Sequence, residues 1–188
     1  MLKLVVAVGG ASGAPYARRF LDALTSLPRS IVEPHVVFSN AAKQVWAQEI
    51  GELPALPFPT WKTHDFNAPF ASGSAGFGAM VVIPCSMGGL GRIAHGLSED
   101  LIGRAADVML KERRKLILVA RETPLSAIHL ENMLSVTRAG AVVLPAMPSF
   151  YGRPSTVEDV LDTVVGRVLD QLGLPISRGP RWGQEKRS

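Results

Sequence analysis

At 188 residues the chain suits a single domain, since a chain of this length buries a core without disulfides or metals, and its 47% hydrophobic and 19% charged content fits a sheet covered on both faces or extensive subunit contacts. The formal charge of +4 is concentrated at the end, where Arg178, Arg181, Lys186 and Arg187 against Glu185 supply +3, so the +1 left elsewhere argues against a nucleic-acid surface. A lone cysteine, Cys85, excludes an internal disulfide and a cysteine zinc cluster within one chain and fits a reducing, cytoplasmic setting.

The first predicted element is a buried strand over Leu2 to Val8, whose apolar run is too short for a signal-peptide core or a membrane span. It ends in Gly9-Gly10-Ala11-Ser12-Gly13 and leads into a helix over Ala14 to Leu27. Such a turn aims free backbone N–H groups and the helix dipole at an anion. A tight turn with a serine cap reads equally well from these residues alone. Neither the G-x-G-x-x-G spacing of dinucleotide folds nor a P-loop is present, which disfavours NAD and ATP. A second strand, Pro34 to Phe38, is followed by Ser39 and a helix over Ala41 to Ile50, where Ser39 is an N-cap or a hydroxyl at the same sheet edge. Residues 51–78, with four prolines, four glycines, Trp61 and Phe66, lack periodicity and read as a long excursion over the sheet edge, a feature that is often functional.

The third strand, Ala79 to Pro84, gives way to Cys85 and a second glycine-rich turn, Ser86-Met87-Gly88-Gly89, opening a helix that runs towards His95. Two such turns side by side suit one phosphorylated ligand, although glycine there also serves close helix packing. On the next helix, Leu101 to Arg114, Arg104 and Lys111 lie seven residues apart on one face and could present two cations to a phosphate; a solvated charged face is the ordinary alternative. A strand over Leu116 to Ala120 ends in Arg121-Glu122, at the edge where side chains face a ligand crevice, and a surface ion pair is the competing reading. A helix over Ser126 to Arg138, a strand over Ala141 to Leu144, Tyr151 after a Pro-Ser-Phe turn, and a helix over Thr156 to Leu172 carrying Arg167 complete the chain. Tyr151 and Arg167 cover the site, reach a neighbouring one, or simply pack. This alternation predicts an α/β, Rossmann-like (flavodoxin-like) three-layer sandwich with a parallel sheet over residues 1–175, followed by a basic tail over 176–188. His35, His64, His95 and His129 lack metal-site spacing, and Ser12 lacks a nucleophile elbow.

The blocks GGASGAPYARRFLDAL, GRAADVMLKERR, RETPLSAIHLENM and LPAMPSFYGRPSTVEDVLDTVVGRVLDQLGL resemble the UbiX flavin prenyltransferases over nearly the whole chain. That resemblance implies a homo-oligomer, usually a dodecamer, that binds FMN between subunits and alkylates it with dimethylallyl phosphate, or in some members the diphosphate, without a metal. The product, prenylated FMN, serves a UbiD-type decarboxylase. Carried over by motif, Gly10, Ala11, Ser12, Ser39, Ser86, Met87, Gly88, Gly89 and Arg121 hold FMN, with Ser12 near the flavin N5. Lys111, Tyr151 and Arg167, assisted by Arg104, grip the prenyl phosphate, and Glu122 manages leaving-group departure or proton transfer. The chain departs from the family at Met87-Gly88-Gly89, where relatives often carry a Lys-Thr or Gly-Thr pair, and at Phe66, where many have Trp; both positions are expected to line the pocket. An FMN-dependent decarboxylase of the related cysteine-decarboxylase superfamily, or a flavin carrier without catalysis, are the competing functions.

Overall fold

The structure, a computed structural model, describes residues 1–179; Arg181, Glu185, Lys186 and Arg187 of the expected basic tail lie outside the described residues. Six strands and six α-helices follow in the order β1 (Leu2–Val8), α1 (Ala14–Thr25), β2 (Val32–Phe38), α2 (Asn40–Ile50), β3 (Thr60–Trp61), β4 (Ala79–Cys85), α3 (Met87–Ala94), α4 (Leu101–Lys111), β5 (Lys115–Ala120), α5 (Ala127–Arg138), β6 (Val142–Val143) and α6 (Val157–Leu172), with two short 3-10 turns between β3 and β4. The sheet order is β3-β2-β1-β4-β5-β6 and every pairing is parallel. Without its two-residue edge strand β3, this is the flavodoxin-like order expected from the sequence.

The unbroken apolar character of β1 follows from its position. Leu4, Val6 and Val8 face a core shared with α1, α2 and α6, while Val5 and Ala7 face a second core shared with α3, α4 and α5. A central parallel strand is buried on both faces, so its side chains do not alternate in polarity. The bidentate pair between Arg19 on α1 and Asp162 on α6 ties two helices of the first layer, with Nε to Oδ1 at 3.0 Å. Ile176 packs against that core, and Arg178 reaches Asp162 at 3.5 Å, so the chain beyond α6 is seated on that helix as far as Gly179.

The excursion over 51–78 carries β3, which the sequence did not announce, because two residues are too few to show a period. It is anchored by aromatic residues. Trp61 Nε1–H donates to His35 Nδ1 at 3.1 Å and stacks on that ring, while Phe70 and Phe77 meet His35 edge-on. His35 is thereby a buried structural residue whose other ring nitrogen faces Glu33 at 3.1 Å. Helix α4 ends at Lys111, three residues earlier than predicted, because Arg113 takes a left-handed φ of 55°. Among the described residues no helix is long and apolar enough to cross a membrane.

Candidate flavin site at the sheet edge

Strands β1 and β4 are neighbours, yet the chain leaves them towards opposite sides of the sheet, which opens a crevice beyond their carboxyl ends. Two close approaches shape it. The Gly9 N–H donates to the Pro84 carbonyl at 3.0 Å, and a Cβ on Gly9 would stand 2.4 Å from that oxygen. A Cβ on Gly10 would stand 2.4 Å from the Ala41 Cβ. The glycines therefore let the first turn lie directly against β4 and α2, which no side-chain-bearing residue allows.

The first turn is not open to an external anion. Gly13 and Ala14 donate their N–H groups to Glu49 Oε2 at 2.9 and 2.8 Å, so a carboxylate from α2 sits on the α1 N-terminus. The Ser12 side chain also hydrogen-bonds Glu49. Burial alone would raise the Glu49 pKa, but the hydrogen bonds from Ser12, Gly13 and Ala14 and the charge of Arg121 outweigh it and hold the carboxyl below its ordinary value. Glu49 is a functional candidate missed by sequence reasoning. One acid near the end of a helix reads as a solvated charge, and only folding places it on a turn some 35 residues earlier.

The second turn remains open. Ser39 and Ser86 cap α2 and α3, accepting from the Ala42 and Gly89 N–H groups at 3.0 and 3.2 Å. Together with Gly9, Gly10 and Gly89 they line a narrow cleft that also takes in Arg92 and Asp100. The two caps take up one N–H at each helix start, and the cleft lies beside the N-termini of α2 and α3, where helix dipoles favour an anion. Met87, expected to touch the cofactor, sends its side chain into the core beneath α3, leaving only its backbone for that role. Ala11 is likewise buried, and Gly88 is exposed.

A larger cleft of about 360 Å³ opens at the end of β5, lined by Arg121 and Glu122 with apolar Leu125, Met133, Pro145 and Met147 among others. Arg121 and Glu122 make no ion pair with each other among the described residues; Glu122 Oε1 accepts the Thr123 N–H at 3.0 Å. The charge of Arg121 is felt at Tyr16, whose hydroxyl is pushed up by burial in spite of it. A cation, an acid and an apolar wall thus meet at one strand end.

Arg104, Lys111, Tyr151 and Arg167 line neither cleft in the single chain. Arg104 and Lys111 share α4 as expected, but Arg104 donates to the Ala71 carbonyl at 3.0 Å and pairs with Asp107, and Lys111 pairs with Glu112. Arg167 pairs with Asp170 on the outer face of α6, and Tyr151 is half exposed. Phe66, expected to line the pocket, is 48% exposed and lines neither cleft. Cys85 is fully buried at the end of β4, and burial pushes its thiol up to about 12 against the opposing charge of Arg92, so it is no nucleophile. No group of three metal-ligating side chains gathers among the described residues.

The flavoprotein family model matches residues 1–169. The chain is 45% identical to the flavin prenyltransferase UbiX of Methanocaldococcus jannaschii, over 97% of this chain and 99% of that protein. It superposes on the crystal structure of AnUbiX in complex with FMN and dimethylallyl pyrophosphate with a TM-score of 0.90, at 44% identity, covering 98% of this chain and 99% of that one. A dodecameric FMN-dependent protein from Escherichia coli O157:H7, described as a UbiX-like decarboxylase, superposes with a TM-score of 0.89 at 46% identity, covering 98% of this chain and 100% of that one. The chain belongs to the flavoprotein family and, within it, to the UbiX flavin prenyltransferases.

Proposed function

We propose that this protein transfers a dimethylallyl group from dimethylallyl phosphate to reduced FMN, forming prenylated FMN for a UbiD-type decarboxylase. The observation that carries the reading is the adjacency of two unlike clefts on one sheet edge: one beside the N-termini of α2 and α3, and one largely apolar and lined by Arg121 and Glu122. The residues fit FMN, since the phosphate finds the amides between Ser39 and Ser86 while the ring system has an apolar wall beyond β5. Bound reduced FMN supplies the nucleophilic nitrogen and ring carbon to which the prenyl group becomes attached as the bond from carbon to phosphate oxygen breaks.

The chain's own residues do the rest. Ser12, held by Glu49, presents a hydroxyl near the flavin N5. Arg121 offers positive charge where the electron-rich ring is to be held. Glu122, already accepting one N–H, takes up the proton released at the ring nitrogen as the carbon–oxygen bond breaks and returns a proton to the prenyl double bond as the second bond closes, the proton lost from the ring carbon passing to the released phosphate. The apolar lining keeps water from the developing allylic charge. Arg104, Lys111, Tyr151 and Arg167 grip the prenyl phosphate across a subunit boundary, and a homododecamer completes the site. Residues 1–175 act as one flavoprotein domain, with the basic stretch from 176 outside the chemistry, and the setting is cytoplasmic.

A decarboxylase reading requires a base over the flavin, and neither cleft is lined by a histidine. The His35 ring is held by Trp61 and Glu33, His95 Nδ1 contacts the Gly91 carbonyl and His129 Nδ1 accepts the Ser126 N–H. The test is anaerobic incubation with reduced FMN and dimethylallyl phosphate, then mass spectrometry of the released flavin. A gain of one C5 unit is expected. Unmodified FMN with both the phosphate and the diphosphate would overturn the reading. Glu122→Gln is expected to retain FMN and slow prenyl transfer by about 10²-fold or more; unchanged turnover removes Glu122 from the chemistry.

A further inference from the structure

Arg92 has no role in the reading above, yet it is the one cation lining the donor-rich cleft among the described residues. It stands on the last turn of α3, one helical turn beyond Gly88. Side chains on a helix lean towards its N-terminus, so a long residue at this position lies back over the preceding turn. The structure shows that placement, with Arg92 Nη1 3.9 Å from the point where a Cβ on Gly88 would stand. Gly88 is exposed and makes no tighter approach, so its missing side chain is what leaves the space. Among the described residues Arg92 forms no ion pair.

The charges around the cleft make a cation there necessary. The other glycine-rich turn is filled by the Glu49 carboxylate, so the phosphate is directed to the amides of α2 and α3. Across that cleft stands the acid Asp100, whose Oδ1 accepts the Gly103 N–H at 2.8 Å. A dianion entering between the helix starts meets donors but also this acid, and only Arg92 balances it.

We infer that Arg92 is the phosphate-binding cation of the FMN site in this chain, reaching over Gly88 so that the guanidinium stands above the first turn of α3. Gly88 and Arg92 then form a coupled pair: the glycine clears the path and the arginine supplies the charge. The inference rests on FMN occupying this cleft and deepens that reading by naming what recognises the phosphate end.

The test compares the full-length protein's affinity for FMN and for riboflavin, which carries the same ring without the phosphate, by fluorescence titration at fixed ionic strength. Arg92→Ala is expected to weaken FMN about 10- to 100-fold, the range for losing a charge-assisted contact, and to leave riboflavin unchanged. Arg92→Lys is expected to keep most of the FMN affinity. Gly88→Lys placed in the Arg92→Ala background is expected to restore FMN binding, since its ammonium rises from the spot the guanidinium had covered. Equal losses for both flavins, or no loss for FMN, would overturn the inference, and failure of the lysine at 88 to rescue would overturn the pairing with Gly88. A wild-type protein that binds neither flavin would instead remove the flavin reading itself, and the inference with it.

Discussion

The turn after β1 and the turn after β4 both gather glycines and a serine at the start of a helix, at the same edge of the same sheet. In the first, the helix N-terminus is occupied by the protein's own Glu49, and glycines 9 and 10 touch β4 and α2 with no room for a methyl group. In the second, Ser86 and Gly89 line a cleft, and a Cβ on Gly88 would meet only the Arg92 guanidinium, at 3.9 Å. One turn is filled by a carboxylate of the same chain; the other borders a cleft. Similar composition therefore serves opposite ends, and the deciding factor is what the rest of the chain brings to each turn.

The contrast breaks most visibly through single methyl groups. Gly9→Ala is expected to cost about 2–3 kcal/mol, because the neighbour it strikes is a backbone carbonyl that cannot move aside cheaply, whereas Gly88→Ala leaves stability within about 0.5 kcal/mol. Urea denaturation of the two variants measures this, and equal effects would erase the distinction. A smaller effect is expected of Glu49→Gln, about 1 kcal/mol, since an amide oxygen still accepts one N–H but the interaction of a charge with the helix dipole is lost at a solvent-accessible site. The sign of its pH dependence follows from the depressed pKa. The stabilisation is present above the ordinary glutamate value of 4.5 and is lost as the pH falls through the lower folded value, so the gap between wild type and Glu49→Gln should close in acid. A gap that stays constant from neutral pH down to pH 3 would show that the charge contributes nothing. Least is expected of Cys85, at the foot of the open turn: with its thiol near 12 and no exposure, it should resist iodoacetamide at pH 8 until the protein unfolds, and rapid alkylation of the native protein would show the strand end to be open.

How far the site was readable varied with the range of the interaction involved. Ser39 and Ser86 were legible because an N-cap is a local device, set by the residue and the helix that follows it. Arg121 and Glu122 were legible because the end of a buried strand faces the crevice in a parallel sheet. The burial of the Met87 side chain was not legible, because a turn residue's amide and side chain point in different directions and nothing local says which of them faces the crevice. Glu49 and Arg92 were missed because each acts on a turn through tertiary placement, Glu49 across some 35 residues and Arg92 by folding back along its own helix.

Apolar runs without alternation, separated by helical stretches, determined the layered parallel sheet from the sequence alone, since burial on both faces leaves no freedom in which residues a central strand accepts. The motif blocks identified the family in the same way. Only the tertiary structure decided which glycine-rich turn is filled, because N–H groups at a helix start take whichever anion folding brings first, and here one turn received a carboxylate from α2 while the other borders a cleft. It also separated Arg104, Lys111, Tyr151 and Arg167 from both clefts of the single chain, a consequence of helix faces and sheet-edge geometry that no residue spacing encodes.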